Sequence, residues 1–244
     1  MPLPDLPTKK PQGSGDRVPR DTAWERIVFS YSSATTSVLE PAAFPEEGGG
    51  GDFHLDLEYI QSYEQQQCSD MIFFGDSRVV GMSMYAGGYH YVGKVAAGYP
   101  WMASEGMALL TEQMNMFPQA DIVSCFGIND LGNIGAYIGF YRYLQQAFPN
   151  RRFWFMSVNP VSERQAAASG YSVRNAMIEP FNSMLLSAFP DRYIDCYTYL
   201  YQNGVGTDDG VHYFGDTYAA VQDFAWRSIA LQLDAENEKR QEQG

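Results

Sequence analysis

The distribution of apolar positions divides the chain into an irregular first part and a periodic second part. Up to about residue 22, Pro, Lys, Gly and Asp dominate and large apolar residues are almost absent, the composition of a flexible tail. A short segment containing Trp24 to Tyr31 follows, and a Gly-rich break runs from Pro45 to Asp52. From about residue 68 one unit recurs: an apolar run, a turn carrying Gly, Asn or Asp, then a stretch with apolar residues at helical spacing. That alternation predicts α/β architecture.

The runs Met71 to Phe74, Tyr91 to Ala96, Asp121 to Phe126, Arg152 to Val158 and Tyr193 to Cys196 are short and apolar enough to be buried on both faces. They predict a five-stranded parallel sheet in a three-layer α/β/α domain. Helical spacing covers Ala103 to Met116, Ile134 to Phe148, Val173 to Phe189 and Asp216 to Leu233, with Pro180 expected to kink or shorten the third helix. The chain thus divides into a flexible tail (1–22), an N-terminal extension and linker (23–67), an α/β domain (68–235) and a C-terminal tail (236–244). In an open parallel sheet the ligand crevice lies at the carboxyl ends of the strands, so the residues just after each strand carry the functional question.

Composition narrows the partners. Hydrophobic residues are 45% of the chain and aromatics 15%, which excludes disorder throughout. Against 29 acidic side chains stand 16 basic ones, a net charge of −13 that repels phosphate backbones and anionic lipid and so excludes nucleic acid as the expected partner. Apolar stretches such as Met71 to Phe74 fall far short of the ~20 residues a membrane-spanning helix needs, so no transmembrane segment is expected. The first residues lack the apolar region of a signal peptide, yet the tail before Trp24 resembles the linker that follows an anchor or signal, and the setting leans extracellular or cell-surface. Cys68, Cys125 and Cys196 are an odd count without metal-ligand spacing and read as buried thiols.

Three strand ends carry chemistry. Gly75-Asp76-Ser77-Arg78 follows the first strand, Gly127-Ile128-Asn129-Asp130 the third, and Asp208-Asp209-Gly210-Val211-His212 comes after the last. A hydroxyl, an amide, a carboxylate and an imidazole are the parts needed for acyl transfer through a serine nucleophile. A serine hydroxyl needs a neighbouring base, and histidine occurs only at 54, 90 and 212. His54 precedes the sheet and His90 opens the second strand, whereas His212 follows the last strand beside two carboxylates. Asp209, or alternatively Asp208, is placed to orient it. No Gly-x-Ser-x-Gly elbow, zinc-binding His-Glu-x-x-His or phosphate-binding loop is present.

In this order the blocks Phe74-Gly75-Asp76-Ser77, Val95-Ala96-Ala97-Gly98, Gly127-Ile128-Asn129-Asp130 and Asp209-Gly210-Val211-His212 resemble those of the SGNH hydrolases, the GDSL esterase and lipase family, over residues 71 to about 230. The resemblance implies a flavodoxin-like fold, Ser77 as nucleophile, His212 as base, Asp209 as its partner, and an oxyanion hole from Ser77, Gly98 and Asn129. It requires neither cofactor nor metal. A Cβ at residue 98 would crowd the oxyanion, and Asp76 and Asp130 are assigned to holding turns. The implied activity is a serine esterase acting on short-chain, foremost acetyl, esters of a small molecule or glycan. An O-acetyltransferase with the same triad and a non-catalytic carbohydrate-binding module are the alternatives. Arg78 stands where the family usually has leucine, and either pairs with an acidic neighbour or binds an acidic group on the substrate. Tyr85, Tyr89, Tyr91, Tyr99 and Trp101 either stack on a sugar or fill the core, with Tyr99 and Trp101 the candidate substrate contacts. Asn159-Pro160 is either a substrate-shaping loop or a plain turn.

Overall fold

The computed structural model describes residues 70–242 and, as backbone, residues 27–29. The predicted tail, most of the linker, His54 and Cys68 lie outside the described residues. In chain order the sheet strands are β1 (Ile27–Phe29), β2 (Met71–Gly75), β3 (His90–Gly93), β4 (Asp121–Cys125), β5 (Phe153–Met156) and β6 (Tyr193–Ile194). Their spatial order is β1-β3-β2-β4-β5-β6, with β2 to β6 parallel and β1 antiparallel to β3. The five predicted parallel strands are therefore present, and the Trp24 to Tyr31 segment adds an edge strand that the pattern did not predict.

Period-two alternation sends each strand's side chains to two separate cores. From β2, Ile72 and Phe74 join one cluster and Met71 and Phe73 the other, all with no exposed surface. The first cluster packs under α2 (Met107–Met116), α3 (Ile134–Ala147) and α5 (Asn175–Ala188); the second lies under α1 (Ser77–Tyr85), α6 (Cys196–Asn203) and α7 (Gly215–Glu242). Burial of each such large apolar side chain contributes ~1.5–3 kcal/mol, which fixes the register of the central strand and hence the place of the residues that follow it. A short helix α4 (Glu163–Ala168) follows β5.

Several boundaries differ from the pattern for local reasons. α2 is preceded by one helical turn at Tyr99–Trp101 and a π-helical turn at Met102–Gly106. β3 stops at Gly93, and Ala96 takes a left-handed φ of 57°. β6 ends where Asp195 caps α6 by accepting the Thr198 N–H at 3.1 Å. α5 runs through Pro180 without shortening, because Pro180 and Ala176, whose carbonyl loses its donor, both lie on the exposed face. α7 continues to Glu242, past residue 235, with Glu236 paired to Arg192 at 2.6 Å and to Arg240 at 3.6 Å. Among the described residues, no helix is long and apolar enough to cross a membrane.

Candidate active site

The carboxyl end of β2 delivers Ser77. Asp76 is the N-cap of α1, its side chain accepting the Arg78 N–H at 3.0 Å, so Ser77 becomes the first helical residue, where the main-chain N–H groups have no partner within the helix. Asp76 is buried, and desolvation pushes its carboxyl up to about 6 against the opposing pull of Arg78. A structural role for Asp76 as the cap is what the sequence suggested.

The segment between α6 and α7 delivers the histidine. Asp209 Oδ1 accepts the main-chain N–H groups of Val211 and His212, both at 2.8 Å, while Oδ2 lies 2.8 Å from His212 Nδ1. The Thr207 hydroxyl donates to the His212 carbonyl at 2.6 Å and accepts the Gly210 N–H at 2.9 Å. Gly210 has φ +84°, and a Cβ there would sit 2.1 Å from the Ala166 nitrogen, so only glycine lets this turn lie against α4. With Nδ1–H donated to Asp209, Nε2 keeps its lone pair and lies 2.9 Å from Ser77 Oγ. Ser77, His212 and Asp209 thus form one hydrogen-bonded chain, and Asp209 is the partner in place of Asp208. Burial alone would raise the Asp209 carboxyl, but the hydrogen bonds from the His212 ring and main chain and from Val211 hold it at about 2.

Gly98 and Asn129 also meet at this end of the sheet, where the Asn129 amide donates to the Ala97 carbonyl at 2.8 Å, using one of its two amide hydrogens. The side chain facing Gly98 is that of Asp130: a Cβ on residue 98 would lie 2.6 Å from Asp130 Oδ2. That carboxylate accepts the Tyr99 N–H at 2.8 Å, the Asn133 amide at 3.0 Å and the Tyr137 hydroxyl at 2.6 Å. A side chain at residue 98 would therefore clash with the carboxylate that ties three elements together.

The candidate substrate contacts fare differently. Arg78 is 5% exposed and donates to three main-chain carbonyls, Val211 at 3.0 Å, Asn159 at 2.8 Å and Pro160 at 3.5 Å. Among the described residues its guanidinium donates to no acidic side chain, but it lies in the field of the Asp76 carboxylate that accepts its main-chain N–H, and it is withdrawn from the surface. Trp101 is also buried, against Phe74 and Phe126, with its indole N–H donated to Glu105 at 3.1 Å; it belongs to the core. Tyr99 packs edge-on to Tyr137 and Phe140 at the core's margin. Tyr89 packs against Phe73, and Tyr91 is buried with its hydroxyl on the Gly87 carbonyl. Asn159 is buried and lines a small cavity with Asp76, Arg78 and Ser157. Cys196 is buried and Cys125 half-buried, and burial raises both thiols above their ordinary range.

Sequence reasoning missed Thr207 and Tyr171. The Tyr171 hydroxyl reaches Asp209 Oδ2 at 3.4 Å, and its exposed ring stands edge-on to His212 with centroids 6.2 Å apart. Its one signal is an aromatic between Gly170 and Ser172. Among the described residues no cluster of three or more His, Cys, Asp or Glu side chains is set to hold a metal ion.

No protein-family model and no curated protein matches the sequence. Solved structures do match in shape. A "putative platelet activating factor" from Streptococcus pneumonia superposes with a TM-score of 0.52 at 17% identity, covering 70% of this chain and 92% of the other. A lipase/acylhydrolase from Enterococcus faecalis gives 0.49 at 13% identity, over 66% and 95%. An acetylxylan esterase from Geobacillus stearothermophilus gives 0.44 at 14% identity, over 66% and 94%.

Proposed function

From a chain with the SGNH-hydrolase fold, we propose a serine esterase in which Ser77 attacks an ester carbonyl, His212 transfers the proton and Asp209 orients His212. The observation that carries the reading is the continuous pair of contacts, 2.9 Å from Ser77 Oγ to His212 Nε2 and 2.8 Å from His212 Nδ1 to Asp209 Oδ2. As Oγ attacks, its proton passes to Nε2, and the imidazolium that forms is stabilised by a carboxylate that stays ionised well below neutral pH. The tetrahedral oxyanion is held by the main-chain N–H groups of Ser77 and Gly98 and the Asn129 amide, each such donor contributing roughly 10²–10³ in rate. Nε2–H then protonates the leaving alkoxide, and water, deprotonated by the same nitrogen, releases the acid from the acyl-enzyme.

Short acyl groups, acetyl foremost, on a carbohydrate alcohol are the proposed substrates. Of the large exposed hydrophobic side chains among the described residues, Tyr171 is the one set against His212, a rim suited to a small acyl group or a sugar face and not a trough for a long chain. The test is hydrolysis of p-nitrophenyl acetate and p-nitrophenyl octanoate by the wild type and by Ser77→Ala. The expected result is preference for acetate and a loss of at least about 10³-fold in Ser77→Ala; turnover that survives the substitution overturns the reading. With an added glycan acceptor, release of free acetate is expected, and acetylated glycan as the main product overturns hydrolysis in favour of transfer.

A further inference from the structure

The buried cation beside Ser77 sends its hydrogen bonds to main-chain oxygens that lie 81, 82 and 133 residues along the chain. Two of these oxygens, on Asn159 and Pro160, belong to the segment between β5 and α4, and the third belongs to Val211. The Val211–His212 peptide is pinned at both ends: its carbonyl accepts from Arg78 Nε at 3.0 Å, and its N–H is donated to Asp209 at 2.8 Å. The orientation of that peptide decides where the His212 ring stands. Tyr213 extends the arrangement, since its ring lies 5.2 Å from the Arg78 guanidinium and its hydroxyl donates to Pro160, the carbonyl that Arg78 also reaches.

Leucine or methionine could fill the volume under α1, but neither presents fixed N–H donors to three separate chain segments. Burying a guanidinium is costly unless its donors are used, so its place here implies that the geometry it imposes matters. We propose that Arg78 is a positioning residue that sets the separation of Ser77 from His212, tying the segment that carries one directly to the segment that carries the other. This inference rests on the esterase reading. Arg78 touches no reacting atom; it acts through the Val211–His212 peptide.

Arg78→Met keeps most of the volume and removes every donor, whereas Arg78→Lys keeps the charge and a single donor group. Each variant is measured for kcat and KM on p-nitrophenyl acetate, corrected for the fraction of sites titrated by a fluorophosphonate, beside Ser77→Ala. The expected result is a kcat per titrated site lowered about 10- to 100-fold in Arg78→Met and less in Arg78→Lys, with KM within about two-fold. Wild-type kcat per site in Arg78→Met overturns the inference, as does a loss that falls wholly on the folded fraction. If neither variant folds, Tyr213→Phe decides: a two- to five-fold drop in kcat is expected from release of the Pro160 carbonyl, and an unchanged kcat overturns the inference. If Ser77→Ala itself keeps turnover, the esterase reading fails, whatever the Arg78 variants do.

Discussion

Two histidine–carboxylate pairs sit at opposite ends of the sheet, with nearly equal hydrogen bonds. At the carboxyl end His212 lies 2.8 Å from Asp209, and at the amino end, where β3 begins, His90 Nε2 lies 2.7 Å from Asp70. Their second nitrogens differ. His212 Nε2 meets the Ser77 hydroxyl, and the side chain keeps 26% of its surface exposed. Among the described residues, His90 Nδ1 is buried with no hydrogen-bond partner, and the ring is stacked on Phe117 at 3.5 Å between centroids. A carboxylate on a histidine therefore marks no site by itself. What separates the two is a hydroxyl on the far nitrogen and a way in from solvent.

The sharpest way to break this comparison is to remove each ring in turn. His212→Ala is expected to lower kcat on p-nitrophenyl acetate by about 10³-fold or more, whereas His90→Ala is expected to keep it within about three-fold; comparable losses in both would erase the distinction. Next, Asp209→Asn keeps the contact but no longer holds the Nδ1–H tautomer, and a fall in kcat of about 10²- to 10⁴-fold with KM little changed is the expected reading. At the amino end the currency is stability. His90→Ala opens a void against Phe117 and leaves Asp70 without its ring partner, and a loss of about 2 kcal/mol in denaturant unfolding is expected.

The smallest effect concerns pH. Asp76 binds its proton more tightly folded, at about 6, than at the ordinary 3.8, so the stability it confers is complete below the lower value and is lost as pH rises through the higher one. Unfolding free energy of the wild type, compared with Asp76→Asn, is expected to fall by up to about 3 kcal/mol more between pH 4 and pH 7. Parallel curves for the two proteins would remove the buried proton from the account. Asp209 runs the other way: its contribution is present above pH 4 and is lost only as pH falls toward 2.

The strands of the parallel sheet were legible because burial on both faces leaves continuous apolar runs, and the meeting of Ser77 with His212 because only one histidine follows the last strand. Arg78 was not legible. Its partners are carbonyls, which every residue carries, and nothing in the sequence says which of them the fold will bring beneath Ser77. Trp101 looked like a substrate contact because it follows Gly98, but the π-helical turn beginning at Met102 belongs to a helix start whose indole packs inward on Phe74 and Phe126. Position along the chain placed the residue near the crevice without giving its direction. At Gly98 the side chain excluded by the fold is excluded by Asp130, a neighbour visible only once the loops after β3 and β4 lie side by side.

The antiparallel strand Ile27–Phe29 has a practical consequence for anyone shortening this protein. Composition invites a truncation that begins near Asp70, which would discard an apparently dispensable leader. Such a chain would keep all five parallel strands but uncover the main-chain N–H and C=O groups along the outer side of β3, which then become a template for another molecule's β3. Expression from Asp70 is expected to give soluble aggregates or precipitate, and a start placed ahead of Ile27 to give a monodisperse sample.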